Sequence, residues 1–223
     1  MKLIVFDCDG TLVDSQHMIA EAMTAAFTAV GLPVPDRAAM LRQVGLSVSH
    51  SMAAITGSED IETLFALGRE YRLAFSALRL EGRIAEPLFP GAKETLTALA
   101  ARDDILLGIA TGKSRRGVDI LLEREGFSNL FATIQTADDA PSKPHPAMIE
   151  RAMSEADVEP ENTLMIGDTS FDILMAKAAS VPAIGVGWGY HDPAELMEAG
   201  ATRVVENFSE LEAFLLPNQS MAE

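Results

Sequence analysis

The stretch Leu3-Ile4-Val5-Phe6-Asp7-Cys8-Asp9-Gly10-Thr11-Leu12 decides how the rest of the chain is read. Its four leading apolar residues have the length and bounds of a buried strand. Two carboxylates one residue apart follow at once, and Gly10 lets the backbone turn sharply. In an open α/β sheet, ligands bind in the crevice outside the carboxyl ends of the strands, where Asp7 and Asp9 would then lie. Acids this close repel each other unless something positive sits beside them, and a hard divalent cation is the usual answer. Taken alone, Asp-x-Asp also suits an ordinary acidic turn, so the remaining sequence has to decide.

Working outward, short apolar runs at 105–110, 132–136, 163–166, 183–186 and 203–205 alternate with helical patterns near 92–101, 115–125, 146–155, 171–179, 193–199 and 209–215. Such alternation predicts parallel strands joined by crossover helices: an α/β fold, a Rossmann-like parallel sheet with helices on both faces. The stretch 15–82 breaks the pattern. It reads as consecutive helices near 17–30, 37–44, 49–56 and 61–80, with Ser15 as a cap for the first and Gly31-Leu32-Pro33 as its end. The expected organisation is therefore a discontinuous catalytic core, 1–14 and 83–223, with an all-helical cap domain, 15–82, inserted as a lid. Its hinges are expected near Asp14-Ser15 and Glu81-Gly82. Residues 217–223 are expected to be disordered.

The formal net charge of −16 argues against nucleic acid or an anionic membrane as partner, since both need basic faces. An anionic substrate would have to be drawn in locally, by a metal and a few placed cations. The single cysteine, Cys8, excludes an internal disulfide and fits a reducing compartment. Between two acids its pKa should be raised, which disfavours a nucleophilic role. Asp7 and Asp9 interrupt the first apolar run too early for a signal peptide, and no run approaches a membrane span. A cytoplasmic protein is expected, its oligomeric state open.

Three further motifs follow the opening one in order: Thr111-Gly112-Lys113, Ser142-Lys143-Pro144, and Gly167-Asp168-Thr169-Ser170-Phe171-Asp172. Each stands at a strand end or the start of the next helix. Together they resemble the four ordered motifs of the haloacid dehalogenase superfamily of phosphohydrolases, spread over most of the chain. The resemblance implies that Asp7 is the nucleophile, forming an aspartyl-phosphate, and that Asp9 is the general acid and then the base. Thr11 would hold Asp9 by a hydrogen bond. Thr111 and the Gly112 amide would bind the phosphoryl oxygens, and Lys143 would set a point charge beside them. Asp7, Asp168 and the backbone carbonyl of Asp9 would hold Mg²⁺, and all-oxygen ligands favour that ion over zinc. Asp172, one turn after Asp168, would hold a metal-bound water or only favour its helix N-terminus.

Beyond these, Lys113 either touches substrate or stays solvated. Arg42, before Val44-Gly45-Leu46-Ser47, is a candidate reader of a substrate carboxylate or second phosphate. His17, His50, His145 and His191 lack a shared metal-ligand spacing. Trp188 either lines the site mouth or packs in the core. Asp9 favours phosphoryl chemistry over dehalogenation, because halide leaves without a proton. The absence of any lysine between Ser15 and Pro90 disfavours a Schiff-base phosphonate route. The tail Gly189-Tyr190-His191-Asp192 resembles phosphoglycolate phosphatases and related pyrophosphatases. The expectation is a phosphoric monoester hydrolase acting on a small phosphate ester, phosphoglycolate-like. The alternatives are a pyrophosphatase, a phosphosugar phosphatase or mutase, and a non-catalytic phosphate-binding protein.

Overall fold

The computed structural model describes residues 1–82 and 86–216, so residues 217–223 and the expected return to the core at residue 83 lie outside the described residues. Six parallel strands form one sheet: β1 (Lys2–Phe6), β2 (Ile105–Thr111), β3 (Thr133–Thr136), β4 (Thr163–Gly167), β5 (Ala183–Val186) and β6 (Arg203–Val205). Their spatial order is β3-β2-β1-β4-β5-β6. The central strand explains itself from its side chains. Ile4 and Phe6 face one apolar cluster, with Leu96, Leu99, Val118 and Phe208. Leu3 and Val5 face the other, with Met148, Ile149, Ile173 and Leu196. A strand apolar on both pleat faces must be covered on both. Helices α5 (Ala92–Ala100), α6 (Arg115–Glu125) and α10 (Phe208–Leu215) cover the first face. Helices α7 (Ala147–Ala156), α8 (Ser170–Ala178) and α9 (Pro193–Ala199) cover the second.

Between β1 and β2 lie α1 (Gln16–Val30), α2 (Arg37–Leu41), α3 (Val48–Thr56) and α4 (Ile61–Glu81). They bury an apolar cluster of their own around Ile19, Met23, Phe27, Met40, Met52 and Leu67. Two sequence expectations change here. Ser15 stands before α1 but its side chain caps nothing; the backbone is not extended there, and the hydroxyl meets the Tyr190 hydroxyl instead, 3.2 Å away. The helix expected over 37–44 stops at Leu41, and Gly45, at φ +98°, turns the chain toward the strand ends.

Register places the motifs side by side. Phe6 pairs with Ile109 of β2 and with Ile166 of β4. Asp7, Thr111 and Asp168 therefore emerge together at the carboxyl edge, where the strand order reverses: β2 and β3 lie on one side of β1 and β4 to β6 on the other.

Candidate active site

Asp7 ends β1 with its side chain fully buried. Neither carboxylate oxygen accepts a hydrogen bond, although the Lys143 ammonium forms an ion pair with Oδ1 at 2.9 Å. Lys143 Nζ also donates to Asp172 Oδ1 at 2.6 Å. The other Asp172 oxygen accepts from the backbone N–H and the hydroxyl of Thr169, closing a capping box at the start of α8. Asp172 thus fixes the lysine and the helix at once. Asp168 accepts from Thr11 Oγ1 at 2.8 Å and from the Tyr190 backbone N–H at 2.9 Å. Thr11 consequently holds Asp168, not Asp9 as the sequence suggested. The turn at Gly10, φ +87°, carries the Thr11 hydroxyl back over β4, and a Cβ on Gly10 would collide with the Asp168 carboxylate.

Oxygens of Asp7, Asp168 and Asp172 lie within 4.8 Å of one another, all buried. Three carboxylates against the single ammonium of Lys143 leave two negative charges in a dry space. Burial pushes Asp7 up to about 6, Lys143 pulling it down and Asp172 pushing it further up. Burial, then Asp172 and Asp7, lift Asp168 well above the ordinary carboxylate range. Burial works against the Lys143 charge, but Asp172 and Asp7 overcome it and hold its pKa above the usual lysine value. The Cys8 thiol is pushed up by burial and by Asp7 and Asp9, so it stays protonated. A hard dication fits this set. The Asp7 oxygens, whose one polar contact is the Lys143 ion pair at Oδ1, and the spare lone pairs of Asp168, whose oxygens accept one bond each, are its natural ligands, whereas Asp172 Oδ2 already accepts two bonds.

Asp9 stands apart from that cluster. Lys113 Nζ donates to its Oδ1 at 2.6 Å and to Glu86 Oε1 at 3.2 Å. Arg79, in the last turn of α4, grips the other Glu86 oxygen through Nε and Nη2 at 3.1 and 2.7 Å. Lys113 is therefore neither solvated nor free for substrate; burial opposes its charge, and Asp9 and Glu86 restore it. Phe75 carries both cations over its ring, Arg79 at 4.9 Å and Lys113 at 5.3 Å.

A cleft of about 480 Å³ opens above Asp7 and Asp9, with Thr111, Gly112 and Lys113 on its floor and the α1–α4 insert as its roof. The roof is close. A Cβ on Gly112 would lie 2.6 Å from the carbonyl oxygens of Gly45 and Leu46. The Ser47 N–H donates to Ser142 Oγ at 2.9 Å, and Arg42 forms two bonds to Glu195 at 2.9 and 3.0 Å. Arg42, expected to read substrate, thus ties the insert to α9 outside the cleft. His191, buried behind this pair, meets the Arg42 carbonyl through Nε2 and accepts the Ser170 N–H at Nδ1. Trp188 packs in the core against Phe89 and Phe208 and donates to the Thr11 carbonyl. Sequence reasoning passed over Glu86, Arg72 and Arg116, and it gave His191 no structural part. For Arg116 a signal existed, because a cation in the first turn of a helix opposes its dipole.

Residues 4–186 match the family model described as haloacid dehalogenase-like hydrolase. The chain belongs to this family. Among hydrolases similar to it, a probable phosphatase, IndB, of Dickeya dadantii is 37% identical over 94% of this chain and 91% of its own length. A phosphoglycolate phosphatase of Rhodospirillum rubrum is 33% identical over 94% of this chain and 89% of its own. A crystal structure of a hydrolase from Pseudomonas syringae superposes with a TM-score of 0.86 at 26% identity, covering 99% of this chain and all of that one. No helix among the described residues is long and apolar enough to cross a membrane.

Proposed function

We propose that this hydrolase is a phosphatase that cleaves an organic phosphate ester, with Asp7 as nucleophile, Asp9 as acid and base, and Mg²⁺ held by Asp7 and Asp168. The observation that carries the reading is the Asp7 carboxylate: buried, paired with the Lys143 ammonium at Oδ1, accepting no hydrogen bond at either oxygen, and lining a cleft two residues from a second acid. Attack by an Asp7 oxygen on phosphorus forms an Asp–O–P bond and breaks the bond to the leaving oxygen, which takes a proton from Asp9. Asp9 then accepts a proton from the water that cleaves the phosphoenzyme, releasing phosphate and restoring Asp7. In this reading the Thr111 hydroxyl and Gly112 N–H, both lining the cleft, bind the equatorial phosphoryl oxygens, and Lys143 offsets the charge that gathers there. When bound, the dication neutralises phosphoryl charge and screens Asp7 from the approaching anion.

The helices 15–82 act in this reading as the cap domain, shielding the phosphoenzyme from bulk water. The relatives named phosphoglycolate phosphatase support a small acidic phosphomonoester as substrate class. The decisive experiment is acid quenching of enzyme mixed with phosphate ester and Mg²⁺, followed by peptide mass analysis. The Asp7 peptide gains one phosphoryl group, and Asp9→Asn traps more of it than wild type. A protein that turns over ester with no adduct on Asp7 overturns the proposal.

A further inference from the structure

Acids outnumber basic residues 33 to 17 in this chain, so an arginine finds a partner easily. Nine of the eleven described arginines do. Arg37, Arg42, Arg69, Arg79, Arg102, Arg115 and Arg124 meet polar or acidic side chains, Arg151 a backbone carbonyl, and Arg203 the Phe214 ring. Arg72 of α4 and Arg116 of α6 make no hydrogen bond, ion pair or ring contact among the described residues. Both line the cleft, one from the insert and one from the core.

Two local choices keep them there. Arg116 occupies the first turn of α6, where the helix dipole disfavours a cation. Its neighbour Arg115 is compensated by Asp119, and Arg116 is not. Arg72 lies over Gly68, one turn earlier in α4, where a Cβ would meet its guanidinium nitrogens at 3.5 and 3.8 Å and Val48 at 3.7 Å. The glycine leaves that face of α4 clear, and a Cβ there would make only ordinary van der Waals contact with the guanidinium, which rests beside the cleft wall. The other cations at the cleft, Lys113 and Arg79, are already committed to Asp9 and Glu86.

We infer that Arg72 and Arg116 bind a second anionic group of the substrate, remote from the ester, and that a body longer than two carbons joins the two. This rests on the phosphatase reading above. The volume of the cleft agrees: about 480 Å³ falls within the roughly 300–1,000 Å³ of pockets that take ligands larger than a two-carbon phospho acid. Ile19, Met23, Met52 and Phe75 give its upper part an apolar wall suited to a carbon body. A carboxylate or a second phosphate is the kind of anion that a guanidinium fork accepts.

The test is kcat/KM, with Mg²⁺, for ω-phosphonooxy alkanoates of two to six carbons, each beside the neutral alkyl phosphate of equal length. Wild type prefers the acid by tenfold or more at some length above two carbons, through KM. The preference falls to threefold or less in R72Q/R116Q and inverts toward ω-aminoalkyl phosphates in R116E. Because each variant is scored by its own ratio, partial loss of folded protein does not enter. 1,4-Butanediol bisphosphate set against butyl phosphate separates phosphate from carboxylate as the distal group. Wild-type ratios near one at every length, or a ratio that survives R72Q/R116Q, overturn the inference while ester hydrolysis stands. Absence of Asp7-dependent hydrolysis of every ester overturns the phosphatase reading and this inference together.

Discussion

The two walls of the cleft are built on opposite principles. On the sheet side, Asp7, Lys143, Asp168 and Asp172 are almost without solvent contact; Lys143 bridges Asp7 and Asp172 at 2.9 and 2.6 Å, and Thr11 and the Tyr190 N–H hold Asp168. On the insert side, Arg72, Ser76 and Leu80 are exposed and Arg72 has no partner among the described residues. Charges in a dry site interact strongly and need no reorganisation when a reaction develops charge, so the chemistry belongs on the rigid sheet edge. Groups that select among substrates must release them again, and an exposed wall on a separate helical layer suits that task. The same difference predicts where substitutions are costly.

The sharpest break comes from Asp7→Asn. It removes the attacking oxygen and is expected to lower kcat by on the order of a thousandfold or more, while the fold persists because a neutral group suits a site that already pushes Asp7 up to about 6. Steady-state kinetics beside circular dichroism checks both halves. Asp172→Ala strikes stability instead. It strips Lys143 of its 2.6 Å partner and leaves a buried ammonium short of charge, at a cost of about 3–5 kcal/mol, read as a lower urea midpoint.

The dication is expected to show itself in stability against pH. Because the folded Asp7 pKa lies above the ordinary 3.8, the native state binds more protons than the unfolded chain between those values. Metal-free protein therefore loses this contribution as pH rises from about 4 to about 6. Mg²⁺ competes with that proton, so the melting-temperature gap between Mg²⁺ and EDTA samples widens as pH rises from 5 to 7. A gap that is constant over that range counts against Asp7 as a ligand.

Smaller effects test the seam between the walls. Glu86→Gln leaves Asp9 as the one carboxylate bonded to the Lys113 ammonium, so the lysine competes more strongly for the acid that has to deliver a proton. Hydrolysis of alkyl phosphates, whose leaving oxygen needs a proton, is expected to fall about tenfold relative to aryl phosphates. Arg42→Ala removes an exposed pair with Glu195 and shifts stability by less than about 1 kcal/mol. A tenfold rise in KM on that substitution would return Arg42 to the substrate-reading role.

Much of this was legible in the chain, unevenly. Strand periodicity is local: the apolar run before Asp7 has to be covered on both faces, and its alternation onto two clusters follows from the pleat alone. Motif residues at strand ends were likewise readable, since parallel strands put their carboxyl ends on one edge. Helix ends were less so. The helix expected over 37–44 stops at Leu41, and the chain then turns at Gly45 to set its carbonyl against Gly112.

The sheet, the helices inserted after its first strand and the set of chemistry-bearing residues follow from the chain alone, because spacing and side-chain type along a single segment suffice for those. Which residue partners which is set by three-dimensional packing. Thr11 reaches Asp168 across 157 residues of chain, Lys113 reaches Asp9 across 104, and Arg42 reaches Glu195 across 153. Such pairings depend on strand register and on how closely the insert sits over the edge, and neither is written in any local pattern. The same closure leaves Arg72 and Arg116 facing the cleft with their charges unspent.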